Sequence, residues 1–95
     1  MSSIAHNSYF DGGVQSLGFE RDGARATVGV IEPGTYRFDT GAPERMTVVS
    51  GELESLLPGG DGWTVHPAGT IFEIPGSSSF EVRATAPSAY LCEFL

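Results

Sequence analysis

Glycine and proline decide what this chain can fold into. Thirteen glycines and six prolines are spread through 95 residues. They fall so often that no apolar repeat with helical spacing survives beyond a turn or two. What remains between the breaks is short runs rich in Val, Ile, Thr, Phe and Tyr, residues that suit a pleated, half-buried surface. These runs predict strands at about 14–19, 24–31, 35–39, 46–50, 52–57, 63–66, 70–74, 80–84 and 89–95. Between them stand the turn sequences ERDG, EPG, TGAPE, PGGDG, PAG, PGSSS and TAPS. Short strands so punctuated predict an all-β fold, a single antiparallel jelly-roll barrel.

The length suits one domain over residues 1–95, with a small core that association into a dimer would help. The first eight residues or so, MSSIAHNS, read as a flexible segment with His6 on the surface. Twelve carboxylates face five arginines and no lysine, for a net charge of -7. Nucleic acids and anionic membranes need clustered cations, so neither is an expected partner. A single cysteine, Cys92, rules out an intramolecular disulfide and a C-x-x-C motif, and its apolar setting reads as core. The N-terminus has no basic-then-apolar signal pattern, and no apolar run reaches the roughly twenty residues of a membrane span. The expectation is a soluble, cytoplasmic protein.

Side chains in a strand alternate between two faces. Arg37 and Asp39 share one face, which their charge turns to water, so Tyr36, Phe38 and Thr40 turn inward. Arg25, Thr27, Gly29 and Ile31 share a face opposite Ala26, Val28 and Val30. Arg25 therefore lies either on the wet side of its sheet or in a polar cavity, and alternation alone leaves both open.

The spacing Glu44-x6-Gly51 and the stretch GTIFEIPGSSSF match the two motifs of cupin barrels, which usually bind a metal through histidines and a glutamate. Here Phe38 and Thr40 stand at the first two histidine positions, and Ser79 or Phe80 at the last. His66, in the hairpin sequence TVHPAG, is not placed to replace them. One carboxylate without imidazoles is a poor transition-metal site, so no metal is expected. Two histidines are too few to support a nucleophilic triad around Ser77, Ser78 and Ser79, which read as a turn. What the pattern offers is an aromatic barrel mouth, with Tyr36, Phe38, Phe72 and Tyr90 beside Thr40, Glu44 and Met46. Such a mouth suits a flat apolar ring with a polar end.

The runs NSYFDGGVQSLGF, RATVGV, GTYRF, PERMTVVSG, LLP, IFEIPG and SAYLCEFL, with Trp63, resemble the small bacterial pyrimidine/purine nucleoside phosphorylases, a cupin-fold family. The resemblance runs from about Asn7 to Leu95. It implies phosphorolysis of purine and pyrimidine nucleosides to free base and pentose 1-phosphate, with inorganic phosphate as co-substrate. No metal or other cofactor is implied, and the working unit is a homodimer. In that chemistry a guanidinium would hold phosphate, and Arg25 is the first candidate, ahead of Arg37 and Arg83. A carboxylate would stabilise the oxocarbenium-like sugar, and Glu44 is the natural choice. Tyr36, Phe38, Thr40, Met46, Phe72 and Tyr90 would bind substrate, with stacking accommodating both ring sizes. The group that protonates the leaving base stays open among water, Tyr36 and Tyr90. Arg37 and His66 depart from the family's usual residues. A non-catalytic cupin module binding a small metabolite or a partner protein is the alternative.

Overall fold

A computed structural model describes residues 3–95. Ten strands and no helix make up these residues: β1 (Ala5–Tyr9), β2 (Val14–Arg21), β3 (Ala24–Ile31), β4 (Gly34–Asp39), β5 (Glu44–Ser50), β6 (Glu52–Leu56), β7 (Thr64–Pro67), β8 (Ile71–Ile74), β9 (Ser79–Ala84) and β10 (Ser88–Phe94). They form a six-stranded sheet in the order β1-β2-β3-β10-β5-β8 and a four-stranded sheet in the order β4-β9-β6-β7. Every pairing is antiparallel. No ladder closes one sheet onto the other, so the expected jelly roll is an open sandwich rather than a sealed barrel. The chain changes sheets at Gly51, between β5 and β6.

The alternation in the sequence is what buries one face of each sheet. In β2, Val14, Ser16 and Gly18 are buried while Gln15 and Leu17 are exposed, and in β9 Phe80, Val82 and Ala84 point into the same interior. The two inner faces meet over Val14, Ile31, Val48, Leu53 and Ile74, all almost wholly removed from water. Asp22 and Gly23, both at positive φ, make the two-residue turn that sets the β2–β3 register, as Asp-Gly favours.

The N-terminal expectation needs correction. Residues 5–9 are not loose, because β1 pairs with β2 over five consecutive positions, Ala5 opposite Gly18 through Tyr9 opposite Val14. Met1 and Ser2, which begin that segment, lie outside the described residues. His6 is on the surface, its Nε2 3.1 Å from Gln15 Oε1. Among the described residues no helix is long and apolar enough to cross a membrane.

Candidate active site

A cavity of about 490 Å³ lies between the sheets. Its apolar wall comes from both, with Val14, Ile31 and Met46 on the large sheet and Leu53, Phe80 and Val82 on the small one. Ser16, Thr27, Glu44, Tyr90 and Cys92 supply polar atoms, all from the large sheet. Tyr9, Phe10, Arg37, Phe38, Asp39 and Phe94 complete the lining.

Strand register places the polar end. Cys92 pairs with Thr27 on one side and Met46 on the other, and Glu44 pairs with Phe94 further along. Because that is two register positions beyond the Cys92–Met46 pair and so on the same face, the half-buried Glu44 carboxylate sits diagonally beside the Cys92 thiol, which donates to Glu44 Oε1 at 3.3 Å. Burial raises the Glu44 pKa above its usual 4.5, and the thiol's hydrogen bond offsets part of that rise. Burial also pushes both Cys92 and Tyr90 far up, with the Glu44 charge adding to each, so thiol and phenol stay protonated at neutral pH. The Tyr90 ring lies across Gly29, where a Cβ would collide with it.

Arg25 is exposed, yet it belongs to the inward-facing set of β3. It pairs with Glu20 on β2 and is next to Ala26, which pairs with Glu93 on β10. By alternation Arg25 lies on the same face as Thr27, on the strand across β10 from the one that carries Glu44. The guanidinium folds back over Gly18, its Nη2 only 2.8 Å from where a Cβ would be. Arg25 makes no hydrogen bond or ion pair with any described residue. The other two arginines differ. Arg83 is held by Glu54 at 2.8 Å and lies 4.1 Å over the Trp63 ring, on the outer face of the small sheet. Arg37, exposed as its alternation implied, contributes to the cavity mouth and donates to Ser79 Oγ at 3.4 Å.

Of the residues expected to bind substrate, Phe38, Met46 and Tyr90 line the cavity. Tyr36, Thr40 and Phe72 do not, and each has another partner. The Tyr36 hydroxyl donates to the Glu32 and Pro33 carbonyls at 3.0 and 3.3 Å, clasping the β3–β4 turn. Thr40 is buried, and its Oγ1 donates to the Pro75 carbonyl at 2.8 Å while accepting from Ser78 N at 2.9 Å. Phe72 stacks on His66 with ring centroids 3.7 Å apart. His66 is correspondingly not a hairpin tip. It is buried in β7, its Nε2 2.7 Å from Ser55 Oγ, and burial lowers its pKa.

Sequence reading missed Cys92, Thr27 and Phe94 as cavity residues. The signal was present, because Tyr90, Cys92 and Phe94 alternate along β10 and share its inner face. Tyr9 and Phe10 were missed because they fall between the N-terminal segment read as flexible and the first expected strand at 14–19.

The residues do not suit the metal that cupin folds commonly carry. Among the described residues, Glu44 and Cys92 are the strong donors at the polar end, and the two histidines lie elsewhere. No three metal-binding side chains gather among the described residues.

Comparison with known proteins now bears on this geometry. The family model described as "Pyrimidine/purine nucleoside phosphorylase" matches residues 4–94. A Sorangium cellulosum protein of the same name is 61% identical over 92 residues, covering 97% of this chain and 99% of its own. A crystal structure of a Vibrio parahaemolyticus protein of unknown function superposes with a TM-score of 0.96 at 51% identity, covering 99% of this chain and 100% of that one. A cupin-superfamily protein from Desulfitobacterium hafniense, at 9% identity, shares the fold with a TM-score of 0.73 over 86% of this chain and 76% of its own. With a family model spanning nearly every residue and a relative this similar along its whole length, the chain belongs to the pyrimidine/purine nucleoside phosphorylase family.

Proposed function

We propose that this protein catalyses metal-independent phosphorolysis of purine and pyrimidine nucleosides, releasing free base and pentose 1-phosphate. The observation that carries the reading is the Glu44 carboxylate at the polar end of a large apolar cavity, with Arg25, which makes no hydrogen bond or ion pair to any described residue, on the same sheet two strands away. A phosphate oxygen attacks the anomeric carbon while the bond to the base nitrogen breaks, and that electron pair leaves with the base. Glu44 stabilises the positive charge that develops on the sugar, and Arg25 orients the phosphate and offsets its charge. The departing base takes a proton from water or from the Tyr90 hydroxyl. Tyr36, outside the cavity lining, drops out of that role.

Incubating purified protein with uridine and inosine, with and without phosphate, tests this by chromatography. Base should appear only with phosphate, and none appearing in either sample ends the reading. A chelator should leave the rate unchanged. Arg25→Ala should lower turnover by about two to three orders of magnitude, and an unchanged rate removes Arg25 from the site.

A non-catalytic metabolite-binding role is favoured by one observation, that Arg25 is exposed and outside the cavity lining. Calorimetric nucleoside binding without phosphate-dependent turnover would select it. The working unit in the leading reading is a homodimer.

A further inference from the structure

The turn between β1 and β2 presents two aromatic rings that the fold leaves in water. Tyr9 is 43% exposed and Phe10 50%, yet both line the cavity. Phe10 and the next residue, Asp11, have φ of 53° and 54°, a left-handed conformation unfavourable for residues with a Cβ. Strained backbone of this kind persists where surrounding structure enforces it, and it concentrates at ligand sites. Here the enforcement is visible. Gly12 N donates to the Tyr9 carbonyl at 3.1 Å, Gly13 N to the Phe10 carbonyl at 3.0 Å, and Glu32 N to the Gly13 carbonyl at 2.8 Å.

The turn delivers both rings to Phe38 on β4. Tyr9 meets Phe38 at 5.8 Å and 83°, and Phe10 meets it at 5.5 Å and 87°. Phe38 is itself stacked on Phe80, 5.8 Å away at 25°. A frame of aromatic rings thus opens from the cavity to water, and its exposed members are those on the strained turn. Covering exposed apolar surface with a ligand is a common reason for a fold to keep it.

We propose that the Tyr9–Phe10 turn is the platform on which the nucleobase stacks, and that this stacking lets one site take both ring sizes. The inference rests on the phosphorylase reading for the rest of the substrate. Every base has a flat face, so a ring platform discriminates little between purines and pyrimidines.

Phe10→Ala is the test, with Phe10→Tyr as the conservative control. Because Phe10 is exposed in a turn, the variant should keep the parent melting temperature to within a few degrees. KM for both uridine and inosine should rise by roughly 5- to 150-fold, the range that follows from loss of one base stack. The value of kcat should change little, and Phe10→Tyr should restore KM. Free adenine and uracil, titrated calorimetrically, should lose affinity in the same proportion. That titration needs no turnover, so a wild type that binds free bases without phosphorolysis retires the phosphorylase reading and leaves the platform standing. Unchanged KM and unchanged free-base affinity in Phe10→Ala overturn the platform, and a KM effect confined to one ring size overturns the claim about breadth.

Discussion

Glu44 shows how function and stability oppose each other in one residue. Burial raises its folded-state pKa above 4.5. A raised carboxylate contributes stability below its unfolded pKa and loses that contribution as pH climbs through the folded value. At neutral pH the charged form is therefore held against its own preference. Glu44→Gln should raise the melting temperature at pH 7 while lowering kcat/KM by about 100- to 1,000-fold. Calorimetry and initial rates on one preparation check both halves. Cys92 acts on the same group, since its hydrogen bond opposes the rise. Cys92→Ala should shift the acid limb of the kcat/KM profile to higher pH, and an unmoved limb would limit Cys92 to packing. The spacing to Gly51 made Glu44 legible in the sequence. Cys92 was not legible as its partner, because a lone cysteine in an apolar run looks like any small core residue until strand register sets it diagonally beside the carboxylate.

Strands as units were largely legible, and their interior geography was not. Alternation turned Tyr36 and Thr40 inward together with Phe38, and Phe72 and Met46 were grouped at the same mouth, but period two reports only the side, not which rung borders a cavity. That depends on which strands pair, and nothing local to β8 indicates that Phe72 will meet His66 from β7 in the opposite sheet. The first strand went unread because AHNSY carries little apolar signal, and it is held by pairing with β2. The β7–β8 contact has its own pH signature. His66 is kept neutral by burial, so its folded pKa lies below the usual 6.5. Its contribution is complete above pH 6.5 and is lost as pH falls toward the folded value, where the unfolded chain binds the proton more readily. The melting temperature should drop between about pH 7 and pH 5. His66→Asn should flatten that drop and lower stability at pH 7 by about 1–3 kcal/mol, since it unstacks Phe72 and disturbs Ser55.

For the molecule as a whole, the outer face of the six-stranded sheet is the surface to watch. Register aligns Leu17, Val28, Leu91, Thr47 and Ile71 into one rung across five strands. Leu17, Val28 and Ile71 are 51%, 44% and 60% exposed, with Val30 close by at 52%. In the proposed homodimer this stripe is the natural contact, because it lies on the side of the sheet away from the cavity and leaves the mouth clear. Light scattering should give about twice the 10.0 kDa of the chain, and Val28→Glu with Ile71→Glu should halve it. A wild-type mass of one chain across a concentration series would dismiss the dimer.

The openness of the sandwich has a kinetic consequence. Among the described residues β1 pairs with β2 and β4 with β9, and no ladder crosses the seam where Tyr9 and Phe10 reach Phe38. The rings span it, fastened at one end by Glu32 N and the Gly13 carbonyl. A base on the proposed platform would leave past exposed side chains that rotate in picoseconds to nanoseconds. In the proposed phosphorylase, escape would then need no backbone hydrogen bond to break, only the loss of the ring contacts themselves.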